Sequence, residues 1–408
     1  MAKSSIHVGL EIGTHKIAVV VGEVRPDGAI KILGVGHAPS RGVRKGEIVD
    51  FKVAKTCLND ALLRAEDLSD VIIRSVFLSV TGGHVQSFTN RGCITIPEDQ
   101  NEITEGDLEE VKNISREVDL PESHIILHSV VRYYYLDGQD RVLDPVGMMA
   151  QRLEADYHII HGIRTRLSNS IRCVREIPLE VEDVVFAPIA SAQVVLTKQA
   201  KQDGALVFDI GAGATDYVLY EDGVMAASGC VPLGGDHITN DIAVVLRIPQ
   251  SVAEKLKVEE GSALPGRAEA SENVYLEDDM QFVGREIERE LLDSIIQSRI
   301  HEIFDLIKKR LQPTGYLDRL SSGIFLTGGT SQLHGIDQAV ANLFQMPVHR
   351  PSASSAISGI TATFENPQYA TPIGLIRYAQ ILDEERSSKS RLARLGRKLK
   401  SLLSSSKP

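Results

Sequence analysis

The chain has 408 residues, 43% of them hydrophobic and 24% charged, with a formal net charge of −11, no Trp and four cysteines. That length suits about two to three domains. The composition is that of a soluble globular protein: no run of 18 apolar residues crosses a membrane, few aromatics leave no large stacking platform for nucleic acid, and Cys57, Cys93, Cys173 and Cys230, widely separated, fit a reducing compartment better than a zinc site.

The start, Met1 to Ser5, runs into a strand without the apolar core of a signal peptide. Residues 1–36 read as three strands joined by short turns. Residues 50–68 carry apolar residues at helical spacing, and Val71–Val80 reads as a strand. From 85 to 165 the pattern changes. Val85–Ile96 alternates, and Thr104–Val118 reads as a helix with Thr104 and Asp107 supplying cap chemistry. Ile125–Tyr135 and Leu153–Gly162 are β-rich, so this stretch reads as an α+β unit inserted in the first half. Within it His158 and His161 fall on opposite sides of a strand, which argues against their sharing a metal.

Thr165–Val174 is again helical, Val184–Ala187 a short strand, and Pro188–Gln199 a helix. After a hairpin comes helix His237–Leu246, then an acidic, broken excursion over 258–280, then a long helix over Gly284–Leu311 with Ile287, Leu291, Ile295, Ile303 and Ile307 on one face. Strand Ile324–Thr327 turns through Gly328-Gly329-Thr330 into helix Leu333–Phe344. Residues 351–368 read as a loop and Pro372–Leu382 as a closing helix.

Two turns repeat one another 198 residues apart. Each begins with an apolar strand ending in an acid, Glu11 or Asp209. A glycine-rich turn follows, Gly13-Thr14 or Gly211-Ala212-Gly213-Ala214-Thr215-Asp216, then a second apolar strand. An Asp-Gly signal closes each pair of strands, at Asp27-Gly28 and Asp222-Gly223. Glycine lets backbone N–H groups approach phosphate oxygens. Lys16 adds charge, and the carboxylates can hold the water shell of Mg²⁺. A plain hairpin with polar turn residues explains one such turn; it explains two less well. Gly328-Gly329-Thr330 at a helix entry can admit a nucleoside or its α-phosphate. Glu254 and Lys257, one turn apart, can meet a ribose or adenine, or form an ordinary surface ion pair.

The end of the chain is different again. From Arg386 to Pro408 there are eight basic residues and no acid, and removing those charges from −11 leaves −19 on the rest. An acidic body disfavours nucleic acid. In 391–403, Leu392, Leu395, Leu399, Leu402 and Leu403 form an apolar stripe opposite Arg391, Arg394, Arg397, Lys398 and Lys400. This is the pattern of a helix lying in an anionic membrane surface. A docked core helix and an RNA-binding tail are the alternatives.

The order of two phosphate turns and a Gly-Gly-Thr turn resembles the actin/Hsp70/sugar-kinase superfamily. Within it the chain is similar to the bacterial FtsA family of actin-like division proteins. The likeness rests on Val8–Thr14, Gly147-Met148 with Arg152-Leu153-Glu154, Val207–Gly213, Leu326–Thr330 and the basic amphipathic end. It implies an α/β, actin-like (ribonuclease H-like) duplicated fold. The first core would be 1–84 plus 166–205, with the inserted unit at 85–165. The second core would be 206–230 plus 318–382, with an upper subdomain at 231–317. A linker at 383–390 would lead to the membrane helix at 391–403.

The resemblance further implies ATP and Mg²⁺ as ligands. Gly13, Thr14 and Lys16 would meet phosphates from one side, and Gly211, Gly213, Thr215 and Asp216 from the other. Asp209, with Glu11, would stand at the metal or the attacking water. Gly235, Glu254, Lys257, Gly328, Gly329 and Thr330 would hold the nucleoside. Many superfamily members have Asp where this chain has Glu11, and Gln193 is a candidate to orient a water; both points imply slow hydrolysis at most. The implied partners are the C-terminal peptide of the tubulin-like FtsZ at 231–317, further copies in filaments, later division proteins at 85–165, and the inner face of the cytoplasmic membrane at the division site. A small-molecule kinase of the same fold, and a pilus-assembly or rod-shape protein, are the competing readings.

Overall fold

In a computed structural model, residues 4–386 are described except 98–99, 101, 140, 265–272, 277–282, 352–356 and 361–364. The basic amphipathic segment 391–403 and linker residues 387–390 lie outside the described residues.

Two sheets share one topology. In the first, Ser5–Ile12, Lys16–Val24 and Ile30–Pro39 form an antiparallel meander. Ser75–Val80 then lies parallel to Ser5–Ile12, and Glu180–Phe186 lies beyond it. In the second, Ala205–Ile210, Thr215–Glu221 and Val224–Val231 form the meander, with Ile324–Thr327 parallel to Ala205–Ile210 and Val348–His349 beyond. The first strand of each meander has paired strands on both sides and is buried through its centre, Val8–Leu10 in one and Ala205–Phe208 in the other. The duplicated α/β fold is therefore present in the backbone pairing.

Helix Phe51–Ser69 covers the first sheet. Asp50 accepts from the Val53 N–H (3.1 Å) at its start, and Leu58, Ala61 and Ala65 are buried beneath it. Helix Ala187–Val195 and the helix spanning 370–386 pack between the two sheets, in a core that joins Phe77, Phe186 and Ala190 to Val207, Val218, Leu375 and Ala379. They cross where a Cβ on Gly374 would overlap the Ala190 carbonyl. A Cβ on Gly9 would likewise overlap the Pro372 carbonyl, so glycine sets both close approaches.

The inserted unit is a four-stranded antiparallel sheet, Gln86–Thr95, Arg152–Ile163, His124–Leu136 and Arg141–Val142, under helix Glu105–Arg116. Thr104 begins that helix as the sequence suggests: its N–H and hydroxyl both donate to Asp107 Oδ2, at 2.7 and 2.6 Å. The unit seats on both cores. His128 Nε2 accepts from the Phe186 N–H (3.0 Å), and His158 Nε2 pairs with Ser228 Oγ (2.9 Å). His161 pairs instead with His124 (2.8 Å between Nδ1 atoms), so the two histidines have separate partners.

Several expectations shift. Strand Val71–Val80 begins only at Ser75. The helix expected over 188–199 ends at Val195, and Thr197, accepting from the Ala200 N–H (3.1 Å), starts a second helix Lys198–Asp203. The long helix begins at Arg289. Before it, Glu286–Glu288 pairs with Asn273–Tyr275, because Glu-Ile-Glu alternates and only Ile287 is buried. Gly329–Gln332 forms a short 3₁₀ turn before helix Ile336–Phe344. The loop at 351–368 contains strand Ile357–Gly359, parallel to Ile30–Ile32.

The largest shift concerns the end of the body. The final helix runs through 386, into the stretch expected as linker. Ile373 and Ile376 complete a core with Val20, Val24, Ile30 and Ile32. The strand 357–359 thus pairs with the first sheet, and the start of the final helix packs on both: Ile373 and Ile376 meet the first, Leu375 and Ala379 the second.

Candidate functional site

The two repeated turns face each other across a cleft of ≈ 670 Å³, a size that suits a small-molecule ligand. Local pairing builds both turns alike. Ile12 pairs with Ile17 and the Gly13 N–H donates to the Lys16 carbonyl (3.0 Å); Ile210 pairs with Thr215 and the Gly211 N–H donates to the Ala214 carbonyl (2.9 Å). Each acid sits two residues before its glycine.

Of the expected site residues, Glu11, Gly13, Thr14, Lys16, Asp209, Gly211, Gly235, Glu254, Lys257, Gly328, Gly329 and Thr330 line the cleft. Gly213, Thr215 and Asp216 do not, and each has a structural occupation. A Cβ on Gly213 would overlap Thr14 Oγ1 and crowd Lys45, so this glycine lets the jaws touch. Thr215, fully buried, donates to the Leu233 carbonyl (2.8 Å). Asp216 accepts from Thr81 Oγ1 at 2.6 Å. Gln193 is also off the cleft: its amide donates to the Ile189 carbonyl (3.2 Å) and accepts from Lys201 Nζ (2.8 Å).

The floor is a buried charge cluster. Burial pushes the Glu11 carboxyl up to about 8; Lys16 opposes that shift, and Asp209 and Asp216 add to it. Burial likewise raises Asp209, against hydrogen bonds from Thr371 and Ser191. Asp216 is pushed up to about 7 by burial, against the Thr81 hydroxyl. Burial lowers Lys16 to about 8, with Glu11 and Asp209 opposing. Glu11 Oε2 is buried with no hydrogen-bond partner among the described residues, whereas Asp209 Oδ2 accepts from Thr371 Oγ1 at 2.7 Å.

A buried carboxylate oxygen without a donor is costly, and a cation would relieve it. Two carboxylates, Glu11 and Asp209, fit a magnesium ion that keeps most of its water and takes its other ligands from phosphate. Among the described residues no cluster of three or more His, Cys, Asp or Glu forms a cage of its own.

The far wall is a knot of hydrogen bonds. Lys257 Nζ donates to Glu254 Oε2 (2.6 Å), Thr239 Oγ1 (2.9 Å) and the Gly235 carbonyl (3.3 Å). Burial pushes the Glu254 carboxyl up, but the bonds from Lys257 and Thr239 outweigh it and hold it below its usual value. This fixes both side chains at the rim. Gly328 takes a left-handed φ of 84°, and a Cβ there would come within 2.6 Å of Asp209 Oδ1. Thr330 Oγ1 ties the third turn to the second by donating to the Gly211 carbonyl (3.0 Å).

Sequence reasoning missed His15, Ala212, Asp236, Pro367, Gln368 and Thr371 in the lining. Pro367, Gln368 and Thr371 come from the segment read as a loop and the start of the last helix. Thr371-Pro372 mirrors Ala187-Pro188 at the crossing helix, and that repeat was the available signal.

A family model described as "Cell division protein FtsA" matches residues 206–374, and one described as "SHS2 domain inserted in FTSA" matches 82–161. Curated relatives named cell division protein FtsA are similar over most of their length. That of Pseudomonas aeruginosa is 35% identical over 371 residues, 91% of this chain and 88% of the relative. That of Borreliella burgdorferi is 34% identical, covering 91% and 90%, and that of Escherichia coli K12 is also 34% identical, covering 91% and 90%. Among solved structures, the PilM–PilN type IV pilus biogenesis complex aligns with TM-score 0.63 at 16% identity, covering 90% of this chain and 97% of that one. MreB5 of Spiroplasma citri bound to ADP aligns at 0.55 and 16% identity, covering 94% and 98%. At such identities the structures share the actin-like fold and nothing more specific.

Proposed function

The chain belongs to the FtsA family of cell division proteins, and from that premise we propose that it is an actin-like adaptor that binds ATP with Mg²⁺, assembles with its own copies beneath the cytoplasmic membrane, and anchors the FtsZ ring there. Family membership sets aside the kinase, pilus and rod-shape alternatives. The observation that carries the nucleotide half is the unpartnered buried oxygen of Glu11 at the floor of a cleft lined by Gly13, Gly211 and Gly328.

In this reading Gly13, Thr14 and Lys16 stand against phosphate from one side and Gly211 from the other, with the glycines opening the approach and the Thr14 hydroxyl and Lys16 ammonium as donors. Glu11 and Asp209 hold the water shell of the cation, which when bound neutralises phosphate charge. Glu254, Lys257, Gly235 and the turn Gly328-Gly329-Thr330 hold the nucleoside. Gly213, Thr215 and Asp216 act from behind the wall by shaping the jaws. Turnover is slow, because Glu11 is longer than the usual Asp and Gln193 is committed to Lys201.

The upper subdomain at 231–317 receives the C-terminal peptide of FtsZ, and the inserted unit meets neighbouring copies and later division proteins. The body attaches to membrane through 391–403, with the leucines Leu392, Leu395, Leu399, Leu402 and Leu403 in the acyl boundary and Arg394, Arg397 and Lys398 at anionic headgroups. Among the described residues no helix is long and apolar enough to cross a membrane. Liposome co-sedimentation with ATP, with and without residues 391–408, tests the tether; pelleting that survives the deletion ends it. Calorimetric titration of Mg-ATP tests the cleft, and pull-down of FtsZ with surface variants in 231–317 tests the adaptor role.

A further inference from the structure

We propose that Gln368 and Tyr369 form a cradle that fixes the Lys16 ammonium at the cleft floor, making them positioning residues for phosphate. The inference rests on the nucleotide reading above and names residues that neither hairpin motif includes. Lys16 Nζ donates to Gln368 Oε1 (3.2 Å) and lies 3.6 Å from the centroid of the Tyr369 ring. A lysine has three donors on a flexible stem. An amide oxygen and a ring face occupy two directions and leave the remainder for the cleft.

The cradle is itself held. Asn366 Oδ1 accepts from the Gln368 N–H (3.0 Å), and the Asn366 carbonyl accepts from the Tyr369 N–H (3.0 Å), which closes the single turn Pro367–Tyr369. The Pro367 carbonyl accepts from the Gly328 N–H and from Thr327 Oγ1, both at 3.2 Å. Tyr369 Oη reaches His37 Nδ1 (3.3 Å) on the first sheet. The Gln368 side chain also passes Gly329, where a Cβ would stand 3.4 Å from its Cγ. One short turn thus links the first jaw, through Lys16, to the third glycine turn. The arrangement is pre-organised: the ordering of a long cationic side chain is met in the fold rather than at binding.

The test uses the full chain in two arms. In ligand-free protein, Lys16 is labelled with an amine-reactive reagent and read by mass spectrometry. Labelling is expected to rise several-fold in Gln368→Ala and Tyr369→Leu and to stay at the wild-type rate in Tyr369→Phe, which keeps the ring. In the second arm, Gln368→Ala and Tyr369→Leu each weaken ATP binding roughly three- to tenfold, weaken ADP less, and leave adenosine unchanged. In a Lys16→Ala background Tyr369→Leu has no further effect, since its action runs through that lysine. Unchanged labelling, an additive double variant, or an equal loss for adenosine overturns the cradle. A wild-type protein that binds no adenine nucleotide overturns the functional reading and the phosphate half of this proposal, and the labelling arm still judges the cradle.

Discussion

Two of the places where this molecule buries ionisable side chains are the cleft floor and the junction beneath the inserted unit. At the floor and just behind it, around Lys16, the acids are raised, Glu11 to about 8 and Asp216 to about 7, both chiefly by burial. At the junction the groups are bases, with His128 lowered to about 4 and His158 to about 3, again chiefly by burial. Desolvation is common to both, but the local chemistry differs. His128 is neutral and useful, since its ring nitrogen accepts the Phe186 N–H. His158 is half satisfied: Nε2 meets Ser228 while Nδ1 has no partner among the described residues. An unpaired neutral nitrogen costs far less than an unpaired carboxylate. Glu11 Oε2, without a partner among the described residues, carries that larger cost whenever the raised carboxyl ionises, as it must to hold a cation. The junction is built to be complete without a ligand, and the floor is not.

The sharpest way to break this contrast is to remove the unsatisfied group. Glu11→Gln is expected to weaken Mg-ATP binding by about 3 kcal/mol, the lower end of the loss when one partner of a buried charge pair is removed. Calorimetric titration with and without Mg²⁺ measures it; a variant that binds Mg-ATP as the wild type does would show that the floor needs no cation.

The next two outcomes have opposite signs. An acid whose folded pKa is raised adds no penalty below its unfolded value near 3.8, and stability is lost as pH climbs through the folded value of about 7. Asp216→Asn, which keeps a partner for Thr81, should therefore gain about 3 kcal/mol over the wild type between pH 5 and pH 8, as ligand-free urea unfolding would record. A base whose folded pKa is lowered behaves the other way. Above its unfolded value near 6.5 nothing is lost, and stability falls as pH drops toward the folded value of about 4. His128→Gln should gain about 2 kcal/mol over the wild type between pH 7 and pH 4.5. Parallel pH profiles for either variant and the wild type would remove the titration argument at that region.

The smallest effect separates the two acids that lead the jaws. Thr371→Val leaves Asp209 Oδ2 without its donor and should destabilise the ligand-free protein by about 1 kcal/mol. It also makes Asp209 resemble Glu11, so Mg-ATP should recover most of that loss in thermal unfolding. An equal loss with and without Mg-ATP would mean that Asp209 does not face the cation.

The duplication was legible because glycine turns after apolar strands constrain the backbone locally. Gly13, Gly211 and Gly328 are where the sequence put them, at the cleft wall. The inserted unit was legible as a change of pattern, and the matched 82–161 lies close to the expected 85–165. Side-chain direction was not legible. Thr215 and Asp216 sit in the right motif, but the strand that begins at Thr215 turns both into the interior, where Leu233 and Thr81 take them. Nor was the return of the chain to the first sheet. Ile357–Gly359 is three residues long, and what places it beside Ile30–Ile32 is a pairing across more than three hundred residues. The cleft lining from Pro367 to Thr371 was lost with it. Periodicity reports which residues are inside and says nothing about which distant strand is waiting for them.

That late return has a bearing on how the protein is made. Ribosomes deliver the N-terminal sheet first, yet Val20, Val24, Ile30 and Ile32 stay without part of their packing until Ile357, Ile373 and Ile376 arrive. The nascent first core must wait, half dressed, through the synthesis of nearly everything else, and a chain cut near residue 340 would strand it. The sheet made first is therefore closed only after the second has been made.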